Sequence, residues 1–181
     1  MRVITGTAKG RKLKTISQKI IRPITDRVKE SLFSILGDWI IDTYILDLFG
    51  GTGAVGIEAL SRGAMHVTFV ETAHVAWKTI KTNLKLTCLA SRATVIRGDA
   101  FKFLANEHAC PYDIIYVAPP QYRELWLKAL RQIDEQPDML TEEGIVIIQI
   151  HPKEFEHVTL QHLTLYQKRK YGSTILCFYE K

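Results

Sequence analysis

The sequence lacks several features that would assign it to common classes of protein. It has no apolar run of 18 residues or more, which argues against a membrane-spanning helix. Its N-terminus lacks the charged and then apolar layout of a secretory signal, so we expect a cytoplasmic protein that does not bind membranes. Three cysteines without C-x-x-C spacing and six histidines without H-x-x-x-H spacing predict neither a disulfide framework nor a metal site.

The size and composition favour one globular unit. With 181 residues, 46% of them hydrophobic, the chain can bury one good core but not comfortably two. We therefore expect a single domain over residues 1–181, with an N-terminal arm and helix in 1–43 and a sheet in 44–181. We also expect a monomer.

The positive charge is concentrated near the N-terminus. The first 30 residues hold nine basic and two acidic side chains, a balance of +7, which leaves −2 over the rest of the chain. A basic arm on a near-neutral body predicts binding to the phosphate backbone of a nucleic acid, although a merely solvated arm has the same composition. The candidate contacts are Lys9, Arg11, Lys12, Arg22 and Arg27.

The hydrophobic pattern predicts a doubly wound, mostly parallel α/β sheet of seven strands. Parallel strands are expected at 44–48, 66–70, 93–97, 114–117 and 144–149, with helices at 54–62, 73–86, 100–107 and 123–132 between them. The segments 163–166 and 174–179 predict an antiparallel pair that closes the sheet edge. Ahead of the sheet, Thr25 or Asp26 can cap a helix. The basic run 168–171 either extends a nucleic-acid-binding face or protects this edge.

A glycine-rich turn follows the first predicted strand and suggests a nucleotide-like cofactor. Gly51, Gly53 and Gly56 fit the dinucleotide fingerprint, with Glu71 at the position of its ribose-binding acid. The motif alone is compatible with NAD and with S-adenosylmethionine. Asp47 favours S-adenosylmethionine, because a carboxylate beside the turn would repel a pyrophosphate but attract the ammonium of a methionine moiety.

Two further carboxylates follow the second and third predicted strands. Glu71 is placed to accept hydrogen bonds from ribose hydroxyls, and a surface glutamate is the alternative. Asp99 is placed to accept the adenine amino group and to cap the next helix, and the two roles can coexist.

A rigid corner follows the fourth predicted strand, at the sheet edge where open α/β folds bind ligands. It consists of Ala118, Pro119, Pro120, Gln121 and Tyr122. A stiff turn without a binding role is the alternative interpretation.

Five stretches of the chain carry one resemblance, namely residues 3–6, 10–13, 22–33, 46–53 and 56–64. They resemble the bacterial 16S ribosomal RNA guanine-N2-methyltransferases of the RsmD type. The resemblance implies methyl transfer from S-adenosylmethionine to a guanine in 16S ribosomal RNA, free or within the small ribosomal subunit, with the basic arm on the RNA. The cofactor-binding residues it implies are Asp47, Phe49, Gly50, Gly51, Thr52, Gly53, Glu71, Asp99 and Ala100.

The chain departs from the family pattern at one position. Similar families have Asp or Asn, Pro, Pro and an aromatic residue, whereas this chain has Ala118, Pro119, Pro120 and Gln121, with Tyr122 one place later. The usual side chain accepts a hydrogen bond from the target amine, and Ala118 offers only its backbone. Three hypotheses remain: catalysis with the backbone carbonyl and Gln121 as acceptors, action on another base with Tyr122 stacking, or an inactive RNA-binding factor in ribosome assembly.

Overall fold

The computed structural model describes residues 1–16, 24–106 and 110–181. Its α-helices are α1 (Asp26–Leu36), α2 (Ala54–Ser61), α3 (His74–Thr87), α4 (Ala100–Leu104) and α5 (Leu125–Asp134). Its strands are β1 (Tyr44–Asp47), β2 (His66–Glu71), β3 (Ala93–Arg97), β4 (Tyr112–Val117), β5 (Leu140–Ile150), β6 (Thr164–Tyr171) and β7 (Thr174–Glu180). None of the helices described is long and apolar enough to cross a membrane.

The strands form one seven-stranded sheet in the order β3-β2-β1-β4-β5-β7-β6. Strands β1 to β5 are parallel to their neighbours, and β7 pairs antiparallel with both β5 and β6. The doubly wound sheet and its antiparallel edge are therefore confirmed. The chain order reverses between β1 and β4, and the carboxyl ends of strands at such a switch point form the usual binding crevice of open α/β sheets.

Each face of the sheet is covered by helices. Residues 1–16 and helices α1, α2 and α3 cover one face, where Leu32, Ile57 and Ile80 are among the buried side chains. Helices α4 and α5 cover the other face, with Leu104 and Leu130 fully buried. Two apolar cores on opposite sides of the strands thus fix the positions of the loops at the sheet edge.

A buried carboxylate attaches the N-terminal segment to the sheet-covering helices. Glu58 on α2 is fully buried and lies 3.2 Å from the ammonium of Lys29 on α1 and 2.9 Å from the Nε of Arg62. It also accepts hydrogen bonds from the backbone N–H groups of Ile4 and Thr5, at 2.8 and 3.0 Å. Because a buried charge needs several partners, this cluster fixes residues 1–5 against both helices.

Some predicted boundaries were wrong, each for a local reason. Helix α5 starts at Leu125 rather than at 123, because Glu124 has a φ of 54°, which a right-handed helix does not admit. Helix α4 ends at Leu104 because Ala105 and Asn106 are exposed and give it no further apolar face; the predicted end at Glu107 lies outside the described residues. The basic run 168–171 lies within edge strand β6.

Candidate functional site

A cavity of about 550 Å³ lies at the carboxyl ends of the parallel strands. The loops after β1, β2, β3 and β4 each contribute to its wall, so the two predicted sites share one space. Its lining includes the predicted residues Asp47, Phe49, Gly50, Gly51, Thr52, Glu71, Asp99, Ala100, Ala118, Pro119, Pro120 and Gln121. It does not include Gly53 or Tyr122.

The glycine turn is built by close backbone approach. Gly51 and Gly53 have φ values of 56° and 79°, which favour glycine, and Gly53 precedes the first residue of α2. At Gly50, a Cβ atom would lie 2.9 Å from the Cδ1 of Ile80, and at Gly53 one would lie 3.1 Å from the Cδ1 of Ile57. The two glycines therefore let the turn pack closely against helices α2 and α3, and Gly53 does not line the cavity.

Asp47 ends strand β1 with its side chain buried, 2% exposed, at the wall of the cavity. Burial raises its pKa to about 7; the hydrogen bond from the Gly56 N–H at 3.3 Å opposes this shift, and the charge of Glu71 adds to it. Within the described part of the chain, Asp47 takes part in no ion pair. A cation bound in the cavity would complete this site, and the ammonium of S-adenosylmethionine fits that requirement.

The Glu71 carboxylate braces the glycine turn. Its Oε2 accepts a hydrogen bond from the Gly51 N–H at 2.9 Å, and its Oε1 accepts one from the Ala73 N–H at 2.7 Å. Because each carboxylate oxygen has two lone pairs, both oxygens keep one for a ligand in the cavity. Glu71 thus stabilises the glycine turn, and its hydrogen bonds to the ribose hydroxyls stay a prediction.

Asp99 and two phenylalanines form another part of the wall. The Oδ1 of Asp99 accepts a hydrogen bond from the Lys102 N–H at 2.9 Å, which confirms the predicted helix cap. The rings of Phe49 and Phe101 meet edge to face with their centroids 6.1 Å apart. Phe101 was not among the predicted site residues, although its place directly after Ala100 in the first turn of α4 was available as a signal.

The proline corner lies on the other side of the cavity, and Tyr122 lies at its exposed end. Tyr122 is 65% exposed, with a φ of 60°. Its backbone N–H donates to Oε1 of Glu154 at 2.7 Å, and its ring centroid is 5.6 Å from that of His151. The ring is therefore open to solvent next to the cavity lining, which ends at Gln121 on this loop and resumes at Arg123.

Two polar residues in the strands were missed by the sequence analysis. The hydroxyl of Tyr116 on β4 donates to the Oε1 of Gln149 on β5 at 2.5 Å, and both residues line the cavity. Burial, followed by the charge of Asp47, raises the pKa of Tyr116 well above its ordinary value. The available signals were a tyrosine two residues before Ala118 and a glutamine near the end of an apolar strand.

The basic residues predicted for the N-terminal arm lie near a second group of basic residues, on helix α3. Lys9, Arg11, Lys12 and Arg27 are exposed, whereas Arg22 lies outside the described residues. The Arg11 guanidinium donates to the Leu86 carbonyl at 2.7 Å, so the arm runs along α3. Residues 72–98 contain no acidic residue, and α3 contributes three lysines that the arm-centred analysis overlooked: Lys78, Lys81 and Lys85.

Across residues 1–16, 24–106 and 110–181, no group of three or more metal-ligating side chains is placed to hold an ion. The acidic residues of the cavity, Asp47, Glu71 and Asp99, instead follow three different strands. This distribution suits an elongated organic ligand along the sheet edge.

Comparisons with known proteins give a consistent result. The family described as conserved hypothetical protein 95 matches residues 1–180. The YlbH protein of Bacillus subtilis (strain 168) is 41% identical over 184 residues, covering 100% of this chain and 99% of that protein. Ribosomal RNA small subunit methyltransferase D of Escherichia coli (strain K12) is 36% identical over 149 residues, 82% of this chain and 74% of that protein. The structure of yhhF from Escherichia coli superposes with a TM-score of 0.86 at 31% identity, covering 100% and 97% of the two chains.

Proposed function

The chain belongs to the conserved hypothetical protein 95 family, that of the RsmD-type methyltransferases, and from this we propose that it methylates the N2 amine of a guanine in 16S ribosomal RNA. It is an enzyme that uses S-adenosylmethionine. The observation that carries the proposal is the shared cavity, which joins a buried carboxylate at the glycine turn to the proline corner. A methyl donor and an acceptor base can meet there.

The cofactor half of the cavity has a polar group for each end of the donor molecule. When bound, S-adenosylmethionine supplies a methyl group on a positively charged sulfur. Asp47 would accept hydrogen bonds from its ammonium, and Glu71 would accept them from the ribose hydroxyls. Asp99 and the Ala100 backbone would hold the adenine, and the apolar rings of Phe49 and Phe101 would offer it a packing surface.

The substrate half of the cavity positions the base. Pro119 and Pro120 fix the backbone, so that the Ala118 carbonyl and the Gln121 side chain are presented as acceptors for the base amine. Tyr122 stacks on the base, as aromatic side chains do on unpaired bases. The exocyclic nitrogen of guanine is itself the nucleophile, so the residues act by orienting it in line with the methyl group.

The RNA contacts extend over the arm and helix α3. Lys9, Arg11, Lys12, Arg22 and Arg27 are the arm contacts, and the α3 lysines continue this basic surface towards the loop at Ala73, which lines the cavity. We assign the whole chain to one methyltransferase domain that acts as a cytoplasmic monomer without a metal.

Methylation of unmodified RNA tests the proposal. The assay measures tritium transfer from methyl-labelled S-adenosylmethionine to 16S ribosomal RNA transcribed in vitro and to small subunits that lack guanine-N2 methylation. Digestion to nucleosides then identifies the product. Label in N2-methylguanosine is the expected result, and label in another nucleoside would reassign the base.

The alanine at position 118 favours one second candidate, an RNA-binding assembly factor without catalysis. An alanine at this position lacks the side-chain acceptor that similar families have, and a missing hydrogen-bonding partner can lower the rate by about a hundredfold to a thousandfold. Cofactor binding together with RNA binding, but no label on either substrate, would support this candidate instead.

A further inference from the structure

A buried hydrogen-bonded pair lies beneath the proline corner. The Tyr116 hydroxyl and the Gln149 carboxamide oxygen are 2.5 Å apart, and both side chains line the cavity. Tyr116 is only 3% exposed, whereas Gln149 is half-buried. The hydrogen bond offsets the cost of burying these two polar groups next to the apolar stretch 145–148 of β5, and it leaves both groups at the cavity wall.

The strand register places Gln149 beside Ala118. Strands β4 and β5 are parallel, and Val117, the last residue of β4, pairs with Ile148. Ala118 follows Val117 in the chain, and Gln149 follows Ile148. Adjacent strands lie about 4.8 Å apart, which brings the two side chains to the same place on the sheet. Tyr116 precedes Ala118 by two residues and points to the same face. Ala118 and Gln149 both line the cavity.

We propose that the Gln149 carboxamide takes the place of the missing acceptor at position 118 and that Tyr116 holds it in position. This inference rests on the proposed function. The Gln149 oxygen accepts a hydrogen bond from the exocyclic amine of the base. The amine nitrogen forms a bond to the methyl carbon, the bond from that carbon to sulfur breaks with its electron pair going to sulfur, and the amine proton passes to solvent.

The chemistry of the pair suits this task. A carboxamide oxygen has two lone pairs, so Gln149 can accept from Tyr116 and from a base amine at once. Its NH₂ group can donate to a ring nitrogen next to that amine. The raised pKa of Tyr116 keeps its hydroxyl protonated and therefore a donor, which fixes the orientation of the amide oxygen.

The backbone that carries Gln149 is also held more rigidly than the backbone that carries Gln121. Gln149 belongs to strand β5, which pairs on both sides, with β4 and with β7. Gln121 lies in the loop beyond the two prolines, before Tyr122 and Glu124, whose φ values are both positive. Catalysis by orientation requires the more rigid support, because small displacements of the reacting atoms are costly in rate.

Matched substitutions test the inference with the tritium assay and with binding measurements. Gln149→Leu, of similar volume, is expected to lower kcat on the order of a hundredfold, and Gln121→Leu to lower it less. The dissociation constants for S-adenosylmethionine by calorimetry, and for transcribed 16S ribosomal RNA with S-adenosylhomocysteine present, should change less than about threefold, because cofactor contacts and phosphate contacts dominate them. Adding Ala118→Asp to the Gln149→Leu variant should raise kcat again by at least about tenfold, because the aspartate returns a hydrogen-bond acceptor to the same place.

Tyr116→Phe separates positioning from structural support. Alone it should lower kcat about tenfold, and in the Gln149→Leu background it should have no further effect, because both changes remove one interaction. An unchanged kcat in Gln149→Leu, a larger loss in Gln121→Leu, or additive losses from Tyr116 and Gln149 would each overturn the inference while leaving the proposed function intact. A wild-type protein that transfers no label would instead refute the proposed function, and this inference with it.

Discussion

Lowering the pH from 8 to 5 is expected to weaken S-adenosylmethionine binding about a hundredfold, because Asp47 must be ionised to attract the ammonium. In the cofactor-free protein the pKa of Asp47 is about 7, owing first to burial. At pH 5 only about one molecule in a hundred then has the carboxylate ionised, whereas at pH 8 nearly all do. A bound ammonium favours the ionised form, so below pH 7 each unit of pH costs about tenfold in affinity.

Isothermal calorimetry measures this dependence directly. At pH 6, titrations in two buffers of different ionisation enthalpy should show release of about 0.9 proton per cofactor bound, since Asp47 is mostly protonated before binding. Asp47→Asn is the control: it should bind weakly and with little change between pH 5 and 8. A wild-type dissociation constant that changes less than about threefold over this range would refute the reasoning, as would the same dependence in Asp47→Asn.

Asp47 also affects the stability of the cofactor-free protein, which should fall as pH rises, whereas the affinity for the cofactor rises. Between pH 4 and 7 the unfolded chain has lost the Asp47 proton and the folded chain retains it, because the folded pKa is raised from 3.8 to about 7. The contribution of Asp47 to the free energy of unfolding therefore falls as pH rises through this window. Binding of the cofactor offsets the loss, so its stabilising effect should be larger at pH 8 than at pH 6.

Three further predictions concern residues outside the cavity lining. Glu58→Ala leaves the buried Lys29 ammonium unpaired and should lower the free energy of unfolding in urea by about 3–5 kcal/mol; a loss below about 1 kcal/mol would contradict the role of this cluster. Replacing the three α3 lysines by glutamine should weaken binding to 16S ribosomal RNA, and the slope of log affinity against log salt concentration should fall by about 2–3. The control replaces Lys168, Arg169 and Lys170, on the opposite edge of the sheet, by glutamine and should change neither quantity. Equal effects of the two sets would show that net charge alone determines RNA binding. Glu154→Ala frees the Tyr122 loop and should raise the KM for RNA several-fold without changing the affinity for S-adenosylmethionine, with Glu154→Gln less affected; a change in cofactor affinity would count against it.

Sequence reasoning succeeded where local chemistry and periodicity determine the result. The alternation of strands and helices, the glycine turn and the caps at Thr25 and Asp99 each depend on a few neighbouring residues. The site lies at the carboxyl ends of the strands because the strands are parallel, so the loops that follow them all emerge at the same edge of the sheet. Asp47, Glu71 and the proline corner could therefore be placed at the cavity before any coordinates.

The features that sequence reasoning missed depend on contacts between distant segments. Gln149 meets Tyr116 only because β4 and β5 pair in one particular register, and a polar residue in an apolar run does not reveal that register. The basic face of α3 was missed because net charge was counted along the chain. It becomes continuous with the arm where the buried Asn83 side chain binds the backbone of Lys14 and where Arg11 donates to the Leu86 carbonyl.

Asp47, Tyr116 and Gln149 form a row across β1, β4 and β5, since Asp47 pairs with Tyr116 and Gln149 follows the strand partner of Tyr116 by two residues. The two ends of this row respond differently to pH. Ionisation of Asp47 near pH 7 makes ionisation of Tyr116 still harder, because its negative charge disfavours a second one nearby. The hydrogen bond from Tyr116 to Gln149 therefore persists while Asp47 titrates. We therefore expect cofactor binding to depend on pH in this range through Asp47, and the hydrogen bond that orients Gln149 to stay unchanged.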